Sequence, residues 1–105
     1  MIKQRYQETS IIDNVTKYID STYEQHYQSK SIQLIDLFDS EGMIIDYLKT
    51  SIMRYVLRYG KKDGMNVRDL YKAIHCIVLL IHFTTRISNL GSNLQLLQEI
   101  NSENI

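Results

Sequence analysis

Arg54-Tyr55-Val56-Leu57-Arg58-Tyr59-Gly60-Lys61-Lys62-Asp63-Gly64-Met65-Asn66-Val67-Arg68-Asp69-Leu70-Tyr71-Lys72-Ala73 is the stretch that decides how this chain folds. Its two ends carry apolar and basic residues at the three-and-four spacing of helical faces. Its middle holds two glycines and an asparagine, residue types that stop and start helices. The stretch predicts a helix, a tight turn at residues 60–65 and a second helix. Gly60 stands where a left-handed residue is wanted after a helix end. Asn66, with Asp69 three residues on, resembles a capping box built from an asparagine cap and an acid at N3.

Working outward, residues 43–59 extend the first helix, with Ile44, Ile45, Leu48, Ile52, Tyr55 and Val56 as its inner face. The second helix runs over about residues 67–88. Between Ala73 and Phe83 it is apolar on nearly all sides, which makes it the central element that the others surround. Asn89-Leu90-Gly91 is expected to end it. Ser92 with Gln95 then opens a terminal helix at about residues 92–100, with Leu94, Leu97 and Ile100 as its stripe, and residues 101–105 fray. Upstream, Ile11, Ile12, Val15, Tyr18, Ile19 and Tyr23 mark a helix at about residues 10–25. A short helix capped by Ser31 buries Leu34, Ile35 and Phe38 before Ser40-Glu41-Gly42 breaks it. The expected fold is all-α, a small bundle of four to five helices around the one at about 67–88, with residues 1–105 as a single domain.

Composition bounds the function. The chain has 105 residues, no proline, four glycines, and 12 basic against 12 acidic side chains. A chain of this length is no multidomain enzyme, and its 44% hydrophobic content is not that of a disordered tail. Neutral overall charge gives no general pull toward nucleic acid. The lone Cys76 lies in an apolar run, cannot close an intramolecular disulfide, and fits a reducing compartment. A polar N-terminus without an apolar h-region predicts no export, hence a cytoplasmic protein. The apolar run at residues 73–81 contains His75 and is far short of the roughly 20 residues needed to cross a bilayer, so no membrane partner is expected. So small a core makes homo-oligomerisation the expectation.

Charge is concentrated where the fold is decided. Between residues 54 and 72 lie Arg54, Arg58, Lys61, Lys62, Arg68 and Lys72 against Asp63 and Asp69, a local excess of +4 in a neutral chain. Arg54 and Arg58 share a helix face that Lys61 continues, and Arg68 and Lys72 repeat the spacing on the next helix. An antiparallel hairpin brings both pairs to one end, beside the free N–H groups of the second helix, a setting that favours phosphate. The plainer reading is that these cations offset a helix dipole beside a solvated Lys-Lys-Asp-Gly turn. Asp69 reads as a structural cap, or else as a ligand for a magnesium ion bridging phosphates. Tyr55, Tyr59 and Tyr71 suit either base stacking or packing at the helix boundary.

The candidate phosphate- or nucleotide-binding residues are therefore Arg54, Tyr55, Arg58, Lys61, Lys62, Arg68, Asp69 and Lys72, with no catalytic residue singled out. His75, His82 and His26 have no zinc-type spacing and read as core or interface residues, so no metal site is expected. Cys76, flanked by Ile74, Ile77 and Val78, is not placed as a nucleophile. No Walker loop is present, so phosphate chemistry would have to be of another kind.

The string from Arg54 to Gly64, followed by Asp69-Leu70-Tyr71-Lys72-Ala73, resembles the signature of the SaV-like phage domain of unknown function. That family includes the P-loop-less nucleotide kinase of short-tailed coliphages. His26-Tyr27 and the short helix at residues 32–38 match as well, so the resemblance covers about residues 26–80 and adds His26 and Tyr27 as possible site residues. It implies a phage protein of the host cytoplasm and, for one class of members, phosphorylation of deoxynucleoside monophosphates with ATP and magnesium. Arg54 takes the usual lysine position, Ser51 stands where the family has asparagine, Tyr71 replaces a frequent lysine, and His75-Cys76 replaces an aromatic pair.

Two functional expectations follow. One is a nucleotide- or phosphate-binding protein working through a basic helix-turn-helix hairpin, whose enzymatic form is a nucleoside monophosphate kinase. The other is a non-enzymatic oligomeric interaction protein that modulates a host enzyme or defence complex through apolar helix faces. Nucleic acid is the weakest of the ligands considered, because the whole chain is neutral.

Overall fold

The computed structural model describes the backbone of residues 3–26 and 30–103, and the side chains of residues 3–24 and 34–89. Among the described residues four α-helices follow in order: α1 (Glu8–His26), α2 (Lys30–Ser40), α3 (Ile44–Arg58) and α4 (Val67–Glu103). Among the described residues there is no strand, so the all-α expectation holds.

Each helix end has a local cause. Gln4 Oε1 accepts from the Thr9 N–H at 2.9 Å and so caps the start of α1. α2 ends in a Schellman turn, in which the Met43 N–H donates to the Phe38 carbonyl at 2.8 Å and the Gly42 N–H to that of Asp39 at 3.1 Å. That turn needs the left-handed backbone of Gly42, at φ 72°. Ser31, expected as the cap of α2, falls inside the helix, and its side chain lies outside the described residues.

α3 and α4 form the expected antiparallel hairpin. Ile44 and Leu48 from the start of α3 meet Phe83 on α4, and Ile35, Phe38, Ile45, Tyr47, Cys76, Leu79 and Leu80 pack around them. Leu48, 1% exposed, is the most enclosed side chain among the described residues. Phe38 stacks on Tyr47 with ring centres 4.3 Å apart, fixing α2 against α3, and Arg86 pairs with Asp39 to tie α2 to α4. α1 docks on α4 through Tyr18 against Tyr71 and Tyr23 against His75.

Four expectations are corrected. α4 does not stop at Gly91 but continues to Glu103 as one helix, joining the expected terminal helix and the residues 101–103 expected to fray. A single glycine inside a helix costs only about 1 kcal/mol relative to alanine, and no proline follows to enforce a break. The side chains of Ser92, Leu94, Gln95, Leu97 and Ile100 lie outside the described residues. Val56, expected on the inner face of α3, is 51% exposed, and Ser51 occupies that face instead at 3%. α4 is not surrounded on all sides, because Ile77, Val78 and Ile81 are exposed. On α1, Ile11, Ile12 and Tyr23 are exposed while Val15 alone of the expected stripe is buried. The radius of gyration, 16.9 Å, exceeds the roughly 13 Å of a compact domain of about 100 residues, as four helices that leave faces uncovered require.

The Val67–Asn89 segment of α4 has the length and composition of a membrane-crossing helix. Arg68, Asp69 and Lys72 stand at one end and Arg86 near the other, leaving 13 uncharged residues between Lys72 and Arg86. At 1.5 Å per residue those span about 20 Å, short of the roughly 30 Å hydrocarbon core.

Candidate functional site

The hairpin turn is built by backbone conformations that most side chains resist. Gly60, Asp63 and Gly64 all have positive φ, at 85°, 60° and 66°. The Gly60 N–H donates to the Gly64 carbonyl at 2.9 Å, and the Lys61 N–H to that of Arg58 at 2.9 Å, which closes the end of α3. Asn66 Oδ1 accepts from the Arg68 N–H at 2.9 Å and so caps α4, as the spacing predicts.

Asp69 does not form the capping box that its spacing predicts; its carboxylate reaches across the hairpin to Arg58 instead. It is 4% exposed and receives Arg58 at 2.5 Å from Nη2 and 3.1 Å from Nε. The Arg58 hydrogen bond holds the Asp69 carboxyl below the ordinary carboxylate range and raises the Arg58 guanidinium in turn. The helix N-terminus is likewise less open to an anion than expected, since the Arg68 N–H is capped and the Asp69 N–H donates to the Asn66 carbonyl at 3.0 Å.

What the hairpin does assemble is a cationic cage around one ring. The Arg54 and Arg58 guanidinium carbons each lie 5.2 Å from the centre of Tyr55, and Lys72 Nζ lies 5.7 Å from it. Such cations are held by the negative face of the ring. Among the described residues neither Arg54 nor Lys72 has a carboxylate in ion-pair contact, whereas Arg58 is committed to Asp69. Lys62 stands in the exposed turn within electrostatic reach of Asp69. Lys61 is exposed in the turn outside the cage, and Arg68 lies toward α1, where its charge acts on the Tyr18 hydroxyl. Of the candidate set, Arg54, Tyr55, Arg58 and Lys72 are thus brought together over Asp69, and Lys61 and Arg68 are not. The His26 side chain and Tyr27 lie outside the described residues.

The cage borders a cavity of about 600 Å³, large enough for a mononucleotide-sized ligand. Tyr55 and Lys72 contribute to its wall together with Tyr18, Tyr23, Tyr47, Ser51, His75 and Cys76. Burial raises the Tyr18 hydroxyl and the Cys76 thiol and lowers His75, so burial favours the neutral form of all three, and Lys72 brings a positive charge to the wall. Asp36 adds a carboxylate at the rim. Tyr18, Tyr23 and Tyr47 are the site residues that the sequence reading missed. The available signal was the number of tyrosines, eight in 105 residues, but periodicity accounts for them equally well as packing.

No curated protein and no solved structure matches the chain. A family model matches residues 21–77, that of DUF3310, a protein family of unknown function. That span is just over half of the 105 residues and takes in the Tyr55 cage, the turn, and the His75 and Cys76 wall of the cavity. The chain belongs to the DUF3310 family, and the matched segment holds the basic hairpin turn and part of the cavity wall, while Tyr18, Leu79, His82 and Phe83 of that wall lie outside it.

Proposed function

We propose that this protein binds a nucleotide or a closely related aromatic phosphate. The supporting observation is the union of two half-sites at Tyr55: Arg54 and Lys72 on one side, and a cavity lined by tyrosines and His75 on the other. An anion placed between Arg54 and Lys72 gains charge-assisted hydrogen bonds, while a base in the cavity gains aromatic stacking. Neither half alone accounts for the other, and a phosphorylated ring uses both.

The resemblance to the SaV-like phage domain supports a finer version, in which the protein works in the host cytoplasm during infection as a P-loop-less nucleoside monophosphate kinase. In that version ATP donates its terminal phosphoryl group to the monophosphate oxygen, giving ADP and a nucleoside diphosphate. Magnesium arrives with the ATP phosphates, and Arg54 and Lys72 offset charge on the transferred group. Arg58 serves as the strut that holds the hairpin, not as a primary contact.

A thermal-shift series tests binding. Deoxynucleoside mono- and triphosphates should raise the melting temperature more than inorganic phosphate or a nucleoside, since a ligand at 100 times its Kd adds about 2.7 kcal/mol. If none of the four raises it, the reading fails. Conversion of a labelled deoxynucleoside monophosphate in the presence of magnesium ATP, lost in Lys72→Ala, separates the kinase from a binding protein.

A second reading is favoured by a different observation. Met53, Val56 and Leu57 form an uncovered apolar patch on the outer side of α3. Such a patch suits a non-enzymatic protein that docks on a host enzyme or defence complex. Co-purification of one stoichiometric host protein, abolished by Leu57→Glu, would support it.

A further inference from the structure

α4 carries a second apolar stripe that the Tyr55 site does not use. Val67, Leu70, Ile74, Ile77 and Ile81 succeed one another at alternating steps of three and four residues, the a/d repeat of helices that pack on helices. Val67, Ile77 and Ile81 are exposed, Leu70 and Ile74 are half-buried, and the exposed Val78 widens the stripe. The opposite side of the same helix is spent on α3, through Cys76, Leu79, Leu80 and Phe83.

The surface area says how much is missing. The chain exposes 8689 Å², whereas a monomeric protein of 12.4 kDa exposes about 6,100 Å². The excess of roughly 2,500 Å² is spread over the whole chain, the uncovered faces of α1 and α3 included, and is more than the roughly 800 Å² that each partner loses in a standard interface. No charged side chain lies between Lys72 and Arg86, so the middle of the stripe has no charge pattern that would select a different partner. Zero net charge removes general repulsion between copies.

We propose that two copies of this chain associate through the α4 stripe from Val67 to Ile81, helix against helix, as an isologous contact in which the Ile77 and Ile81 patch meets its own image. The interface is independent of the Tyr55 site, which lies toward α3 and α1.

Light scattering on the purified full chain tests it. The expected mass is twice 12.4 kDa, falling to 12.4 kDa in the double variant Ile77→Glu, Ile81→Glu with far-ultraviolet helicity retained. Met53→Glu, on the outer side of α3, should stay dimeric. Should the double variant lose helicity, Ile81→Cys in a Cys76→Ser background provides the second measurement, an oxidation-dependent dimer that Met53→Cys in the same background does not form. A monomeric wild type overturns the proposal. So does a double variant that keeps the larger mass, or wild-type protein that partitions onto phosphatidylcholine vesicles through α4. The thermal-shift response to nucleotides is read separately, so failure of the dimer and failure of the binding site are distinguishable.

Discussion

Arg58 and Asp69, eleven residues apart in sequence, meet at 2.5 Å across the hairpin turn and join the end of α3 to the first turn of α4. The pair neutralises one arginine of the basic cluster and fixes the helix crossing that lets Arg54 and Lys72 reach the same tyrosine. It also sets how the fold responds to acid. The Asp69 carboxyl is depressed, so its contribution is fully present above the ordinary value of 3.8 and is lost as pH falls toward the lowered native value. His75 is lowered from 6.5 by burial, so its loss begins earlier, as pH falls below 6.5 and the imidazole must take up charge. Thermal melts from pH 8 to pH 3 should show both declines. Asp69→Asn should flatten only the lower one, and a melt that ignores that substitution contradicts the assignment.

Removing the ring should separate packing from recognition. Tyr55→Phe keeps the face that holds the three cations and should leave nucleotide affinity within a few-fold of wild type. Tyr55→Ala removes that face and should weaken binding by about 1–2 kcal/mol, roughly five- to thirtyfold in Kd. Isothermal titration with a deoxynucleoside monophosphate checks both.

The cations should sort by geometry, not by number. Arg54→Ala and Lys72→Ala should weaken binding of inorganic phosphate and of nucleotides while leaving the melting temperature nearly unchanged. Lys61→Ala and Arg68→Ala, which lie outside the cage, should do little. An equal loss across all four in the same titration would point to a diffuse charge effect.

Cys76 reports on the cavity. Burial raises its thiol, so alkylation by iodoacetamide should be slow at pH 7 and accelerate as pH rises above the usual thiol range. A bound nucleotide should slow it further by filling the space that Cys76 lines. Mass spectrometry of timed samples measures the rate, and indifference to ligand would place the base elsewhere.

Leu48 tests the core itself. Leu48→Ala should cost about 2–5 kcal/mol, because the side chain is enclosed by both helices of the hairpin. Met53→Ala, one helix face away and exposed, should cost little. Urea denaturation of the two variants gives the comparison.

The hairpin was legible in sequence because its signals are local. Gly60, Gly64 and Asn66 state a turn and a cap by residue type, and Ile44, Leu48 and Tyr55 repeat at helical spacing. The same locality explains the failures. Asn89 and Gly91 suggest an end to α4 only weakly, and the length of the helix overrides them. Ser51 reads as polar and therefore outward, yet it stands on the inward register of α3 because Leu48 and Tyr55 set that register. Asp69 fits a cap by spacing, but the choice between its own helix end and Arg58 is made by the crossing of two helices, which no window of sequence contains. Tyr18, Tyr23 and Tyr47 come from two separate helices, and only tertiary packing gathers them around one space.

One rod of backbone, α4, supplies Lys72, His75 and Cys76 to the cavity wall, and on its other flank Leu70, Ile74 and Ile77 to the bare stripe. If both flanks are occupied, the two equilibria belong to a single thermodynamic cycle. Whatever factor a cavity ligand lends to pairing, pairing must return to the ligand.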